Sequence, residues 1–432
     1  MAKNSAGKAN LLPSQSPQKI GAAVCVYNLA MRILLLNLYY PPDTSATAKM
    51  AETVVTALAR ENQVTILCGR PSYDPSGRRP WRLFQTEEKR NVRIVRVGST
   101  AFPRFNMKKR LLNYLTYSVP VIPRALFTPC DAVLAMTDPP YQGIIGALVA
   151  TVKRRPFFYN IRDMYPDMAV GGAIVAPGLL ARFWEKLHRW ALRRATRVIV
   201  LGEDMRDRIL AKGARAEQIA IVRDGAEILS TNASRPLDSG VIREIRKGFR
   251  FVLLHAGNIG FYGAWETLLA AAKQLDGDGV GFVFVGEGAQ LPQLRAAARG
   301  FNNVRFLPFF PGSKIPSVLA APDAHLITVK RGLEGVVVPS KMYAILAAGK
   351  PIVAVAPSGT DAVTLGEKLG FSAAADPDRP EELAALVREL ANDPARIEEM
   401  GRAALAAAPA YDRVKELQKF VEVITRPARD EK

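Results

Sequence analysis

Cysteine and histidine are scarce in this chain, with three of each among 432 residues. Cys25, Cys68 and Cys130 stand far apart and in no metal-binding spacing. That excludes a disulfide scaffold and a cysteine-built zinc site, and it fits a reducing compartment. His188, His255 and His325 are equally scattered, so no histidine-built metal centre is expected. No uninterrupted apolar run approaches the roughly 18–20 residues that a membrane-spanning helix needs. Acid is also short: 40 Asp and Glu against 59 Lys and Arg leave a formal charge of +19. Such an excess attracts polyanions, a class that spans nucleic acid, anionic membrane surfaces and phosphorylated substrates. The chain carries no zinc finger, no RNP-type aromatic motif and no recognition-helix signature, which makes nucleic acid the weakest of the three.

What is present is a folded chain, 49% hydrophobic and long enough for two or three domains. Residues 1–30 open polar and pass into IGAAVCVYNLA, whose apolar part is short and broken by Asn28. They are expected to be a disordered leader rather than a signal peptide, with Met31 directly before the first convincing strand. RILLLNLYY then reads as a buried strand, PPDTSATAK as a loop, MAETVVTALAREN as an amphipathic helix and QVTILCG as a strand. The loop lacks G-x-G-x-x-G, which disfavours a tightly held dinucleotide, but Thr44, Ser45, Ala46 and Thr47 leave room for a substrate to approach. Further strands are expected at Val92–Val97, Asp131–Met136, Pro156–Ile161 and Arg197–Leu201, with helical patterns in most gaps. A second series follows the polar stretch Ser230–Arg250, read as a linker: FVLLHAG, VGFVFVG, VRFLPFF, AHLITVK, PIVAVA and FSAAAD. The fold class is therefore α/β with two Rossmann-like, doubly wound domains facing a deep cleft, at 31–228 and 229–410. A C-terminal helix in 411–432 is expected to cross back to the first domain.

The stretch from Ala324 to Ala356 carries the most chemistry. It reads strand, loop (RGLEG), helix (PSKMYAILAAG), strand, with Pro339 suited to the first helical turn and Gly349 to a left-handed C-cap. The loop thus lies at a strand's carboxyl end and a helix start, where α/β sheets hold phosphorylated ligands. Lys330, Arg331 and Lys341 supply positive charge that suits a diphosphate, and Glu334, alone between glycines, can accept hydrogen bonds from hydroxyls. Two other segments interleave aromatics with cations: FPRFNMKKRLLNYLTYSVPVIPRALF and RFWEKLHRWALRRATR. Helices of that composition can lie on an anionic membrane, apolar face down, or can simply pack on the sheet with their cations in water.

In order along the chain, LYYPPDTSATA, CGRPSY, DPPYQG, YNIRDMYPD, RRATRVIVLGEDMRDRILAKG, HAGNIGFYGAWETLLAAA, FVGEGAQ and RGLEGVVVPSKMYAILAAGKPIVAVAPSGTDA resemble a family 4 glycosyltransferase of the GT-B fold. The resemblance is to the bacterial branch that builds O-antigen, capsule and colanic acid, and it runs from Met31 to about residue 425. It implies retaining transfer from a nucleotide sugar, by family habit a uridine one, without metal or other cofactor. It also implies a lipid-linked (polyprenyl diphosphate) or polysaccharide acceptor, and work at the inner face of the plasma membrane.

The resemblance also assigns residues. Glu334 matches the first glutamate of an E-x7-E region that holds donor-sugar hydroxyls, while the second glutamate is absent because Ala344 stands in the helix there. The turn Gly257, Asn258, Ile259, Gly260 looks like the glycine loop that approaches the diphosphate; Phe261 and Tyr262 follow it where a cation is usual, leaving Arg331 or Lys341 to supply the charge. Gly335 and Ser340 complete the donor side. Asp163 matches the acid of a His-Asp turn and is the candidate to orient an acceptor hydroxyl, with Arg162 in the histidine position. Thr44, Ser45, Thr47 and Arg162 form the acceptor side. His255 and His325 read as core or strand-end residues. The same architecture also serves nucleotide-sugar 2-epimerases, and the missing second glutamate leaves open a degenerate, polyanion-binding scaffold.

Overall fold

The computed structural model describes residues 30–72, 81–102, 107–172, 174–227 and 236–426. The expected leader at 1–30 lies outside these, apart from its last residue. Met31–Lys432 forms one compact unit built on two sheets.

The first sheet has eight strands: β1 (Arg32–Leu36), β2 (Gln63–Cys68), β3 (Phe84–Lys89), β4 (Val92–Val97), β5 (Ala132–Ala135), β6 (Phe157–Asn160), β7 (Arg197–Val200) and β8 (Ile219–Ile221). Their order is β3-β4-β2-β1-β5-β6-β7-β8, and every pair is parallel except β3 with β4. β1 is apolar on both faces because both are covered. Leu34 and Leu36 pack under the helices Met107–Phe127 and Gln142–Lys153, while Ile33 and Leu35 pack on the opposite side with Val54, Val55, Phe420 and Ile424. The helix Arg413–Thr425 thereby lies on the first sheet beside the helix Ala46–Leu58.

The second sheet holds β9 (Phe251–Ala256), β10 (Val280–Val285), β11 (Val304–Leu307), β12 (Ala324–Thr328), β13 (Ile352–Val355) and β14 (Ser372–Ala375), in the order β11-β10-β9-β12-β13-β14, all parallel. Both are open α/β sheets of the doubly wound kind that alternating strand and helix patterns predict.

Three local features differ from what the sequence pattern predicts or leave no pattern in it. The stretch Ser230–Arg250 is not all linker, because Ser239–Arg246 is a helix capped by Asp238 and anchored by buried Val241 and Ile245. The edge strand β3 is mostly exposed and so lacks an apolar alternation that a sequence pattern could register. Pro339 precedes the N-cap Ser340 of the helix Lys341–Ala347 rather than occupying its first turn, whereas Gly349 does adopt φ +64 just past the C-cap.

Candidate active site

In parallel sheets the loops at the carboxyl ends of the strands share one edge, and here the two carboxyl edges face each other. The contact is direct: Met164 N–H donates to the Val336 carbonyl at 3.1 Å, and Asp163 pairs with Val337 as an antiparallel bridge. The YNIRDMYP loop of the first lobe and the RGLEGVVVP loop of the second are thus held together.

On the second lobe the glycine turn follows β9. Gly257 N–H donates to Val285 and Ile259 N–H to Glu287, so the turn is pinned to the loop after β10. The approach is so close that a Cβ on Gly286 would stand 2.0 Å from the Gly257 carbonyl oxygen. No neighbour, by contrast, lies within 4 Å of a Cβ built on Gly257 itself, so that residue opens on free space. Lys341, on the helix it opens, meets the strand end just before this turn, with Nζ 2.9 Å from His255 Nδ1, and burial pushes its pKa down to about 7. Glu334 Oε1 accepts from Gly332 N–H at 3.0 Å, and its carbonyl accepts from Arg208 at 2.8 Å.

Other expected donor-side residues lie elsewhere. Arg331 is exposed and turned onto Asp376 and Asp378 at 2.7 and 2.6 Å, so its charge is already matched. Gly335, at φ +64, lets the loop press on the first lobe: a Cβ there would meet the Asp204 carbonyl at 2.2 Å. Ser340 is exposed and makes no side-chain cap bond. Ala344 packs against the core and brings no polar group to the position of the missing glutamate.

On the first lobe, Arg162 is held by Asp224 at 2.6 Å. Burial first, then the charge of Asp138, raises Asp163 to about 6. Thr47 hydrogen-bonds Asp138, Ser45 spends its hydroxyl capping the helix through Ala48 N–H, and Thr44 is exposed. Asp138 is itself raised by burial, and Arg110, hydrogen-bonded to Tyr114, faces it. Asp138 and Arg110 were missed as site residues although DPPYQG was singled out. Their link to Asp163 joins the first turn of the helix Met107–Phe127 to two separate loops and leaves no local pattern. Among the described residues no three His, Cys, Asp or Glu converge as a metal-binding group.

Two family models match in succession, a glycosyl transferase 4-like domain over residues 45–225 and glycosyl transferases group 1 over 243–406. The chain is a family 4 glycosyltransferase of the GT-B fold. A protein named as a colanic acid biosynthesis glycosyl transferase, WcaI of Escherichia coli (strain K12), is 24% identical over 83% of this chain and 92% of its own. A protein named as a glycosyltransferase, WbjE of Pseudomonas aeruginosa, is 26% identical over 67% of this chain and 74% of its own. Among solved structures, Anabaena HepE in complex with UDP has a TM-score of 0.66 at 18% identity, covering 92% of this chain and 100% of that one. WaaG, a glycosyltransferase of lipopolysaccharide biosynthesis, has a TM-score of 0.61 at 14% identity, over 91% and 99%. The glycosyltransferase is thus matched along both lobes.

Proposed function

We propose that this glycosyltransferase moves a sugar, with retention, from a nucleotide sugar to a lipid-linked or polysaccharide acceptor in cell-surface polysaccharide synthesis. The observation that carries it is that Asp163 of one lobe pairs with Val337 of the other and lies near Tyr262, whose hydroxyl donates to the Asn258 carbonyl in the open glycine turn. The name of WcaI supports the pathway, and the UDP and UDP-glucose complexes of HepE support a uridine donor.

The chemistry follows from where charge develops. Breaking the bond from the anomeric carbon to phosphate leaves negative charge on the nucleoside diphosphate, which Lys341 and the amides of the turn at Gly257–Gly260 stabilise without a metal. Glu334, held by Gly332 N–H, orients the sugar hydroxyls. Attack from the same face, with the departing phosphate drawing the acceptor proton, needs no second carboxylate, unlike the paired acids of glycosidases. Asp163 orients the acceptor hydroxyl.

The acceptor side supports work at the inner face of the plasma membrane. Three helices, Met107–Phe127, Gln142–Lys153 and Leu179–Arg194, neighbour one another on one face of the first sheet. The first turns Tyr114, Tyr117 and Val121 inward and leaves Leu111, Leu115 and Val119 out, the last 75% exposed. The third leaves Leu179 84% exposed, with Phe183, Arg182 and Lys186 also outward. An apolar stripe with flanking cations suits anionic lipid. Among the described residues no helix is long and apolar enough to cross a membrane.

The test is to incubate the protein with uridine nucleotide sugars and polyprenyl-linked acceptors, then assign the anomeric configuration of the product by NMR. A product with the donor's configuration, lost in Glu334→Ala, is expected. An inverted product, or epimerised donor without transfer, would overturn the reading.

A further inference from the structure

Lys341 Nζ lies 2.9 Å from His255 Nδ1 and 3.4 Å from Nε2. The His255 ring is fully buried, edge-on to Trp265 at 4.9 Å and tilted against Phe284 at 6.3 Å. At this contact one nitrogen must accept: imidazole from an ammonium, or a neutral amine from the imidazole N–H. Two full positive charges this close and this enclosed are excluded by their repulsion and desolvation. Among the described residues no carboxylate forms an ion pair with Lys341. The ionisable groups that face the pair are each other and His325 on β12, whose Nε2 is bonded to the Leu319 carbonyl. Of the other two cations of the loop, Arg331 is occupied by Asp376 and Asp378, and Lys330 is tied through its backbone N–H to the Tyr262 carbonyl. The charge that Lys341 itself carries therefore depends on a single proton shared with His255.

We infer that His255 is a positioning residue that holds Lys341 at the glycine turn, and that binding of a nucleoside diphosphate there is coupled to uptake of one proton by the Lys341–His255 pair. The inference rests on the donor-site reading above. Burial holds Lys341 near 7 and His255 well below its ordinary value, so the free pair is about half protonated at neutral pH. A diphosphate favours the ammonium form alone, so binding draws a proton from solvent onto Nζ. No covalent bond to phosphorus changes. The ligand raises the pKa of Lys341, so affinity is full well below pH 7 and declines as pH rises above it, towards tenfold per unit.

Isothermal titration with UDP at about pH 8, in buffers of different ionisation enthalpy, reads the proton directly. The terminal phosphate of UDP, with a second pKa of about 6, is already ionised there. The wild type is expected to take up about 0.9 proton per UDP and to bind about fivefold more weakly than at pH 7. Lys341→Arg, which carries a fixed charge, is expected to bind with no uptake and no slope with pH. His255→Phe is expected to weaken UDP binding, and His255→Gln, which retains an acceptor, to restore part of it. UDP binding with no buffer-dependent heat would overturn the inference and leave the donor site standing. Equal affinities for His255→Gln and His255→Phe would remove the positioning role. No UDP binding at any pH, on folded protein, would overturn the donor reading with it.

Discussion

Replacing Asp204 by Asn is expected to stabilise the protein at alkaline pH. Asp204 and Asp361 open two helices, Glu203–Ala211 and Asp361–Leu369, whose N-termini meet across the lobes. Each carboxylate serves the other helix: Asp204 Oδ2 accepts from Asp361 N–H at 3.3 Å, and Asp361 Oδ1 accepts from Glu203 N–H at 3.0 Å. Burial first, then the charge of Asp361, raises Asp204 to about 7, and burial raises Asp361 too. Arg223, 3.6 Å from Asp361 and ring-stacked on Tyr411, offsets only part of this. An acid with a raised folded pKa gives stability that is present below its unfolded pKa and is lost as pH climbs through the folded one. For Asp204 the window runs from about 4 to about 7, at about 1.4 kcal/mol per unit, or on the order of 4 kcal/mol in all. Asn keeps one acceptor oxygen and never ionises. The assay is urea unfolding of wild type and Asp204→Asn at matched pH values from about 5 to 8. The difference between the two isolates this group from the buried histidines, which titrate with the opposite sign. Asn is expected to gain on the wild type as pH rises. A variant equally or less stable at pH 8, with a flat difference, would refute the reasoning.

Arg162→Ala leaves Asp224 buried without its cation and is expected to cost about 3 kcal/mol in unfolding free energy, measured by denaturant titration. Arg208 bonds Asp167 and the carbonyls of Glu334 and Gly332, so Arg208→Ala is expected to weaken donor binding about tenfold by calorimetry, although it holds the loop rather than the ligand. The double variant Leu111→Ser, Leu115→Ser is expected to keep the wild-type unfolding free energy within about 0.5 kcal/mol, since both side chains are exposed, yet to lose binding to anionic vesicles in flotation.

The two-sheet architecture was legible because parallel strands buried on both faces read as unbroken apolar runs. RILLL, VGFVFV and IVAV cannot belong to anything half-solvated. The strands β3 and β8 were not legible. FQTEEK gains its place from hydrogen bonds to one neighbour rather than from burial, and IAI is three residues long. Along the site, Gly257, Gly260 and Glu334 could be found because a turn and a lone acid mark themselves locally. What sequence could not give was pairing. Arg331 and Lys341 look equivalent in the string, yet one is matched by two aspartates from another loop and the other meets only a histidine. His255 reads as a strand residue, which it is, and its contact with Lys341 spans 86 positions. The helix Leu179–Arg194 shows the same limit: Phe183 faces out, while Ala181, His188, Ala191 and Leu192 make the buried side.

In the proposed function the turn at Gly257–Gly260, Lys341 and Glu334 form a nucleotide-sugar site. Thermal unfolding of wild type and Glu334→Ala against a panel of nucleoside diphosphates and nucleotide sugars tests it most directly. A ligand at about a hundred times its dissociation constant adds roughly 2.7 kcal/mol. Stabilisation by one uridine nucleotide sugar, smaller in the variant, is expected. Stabilisation by none of them, or equally in both proteins, would contradict it.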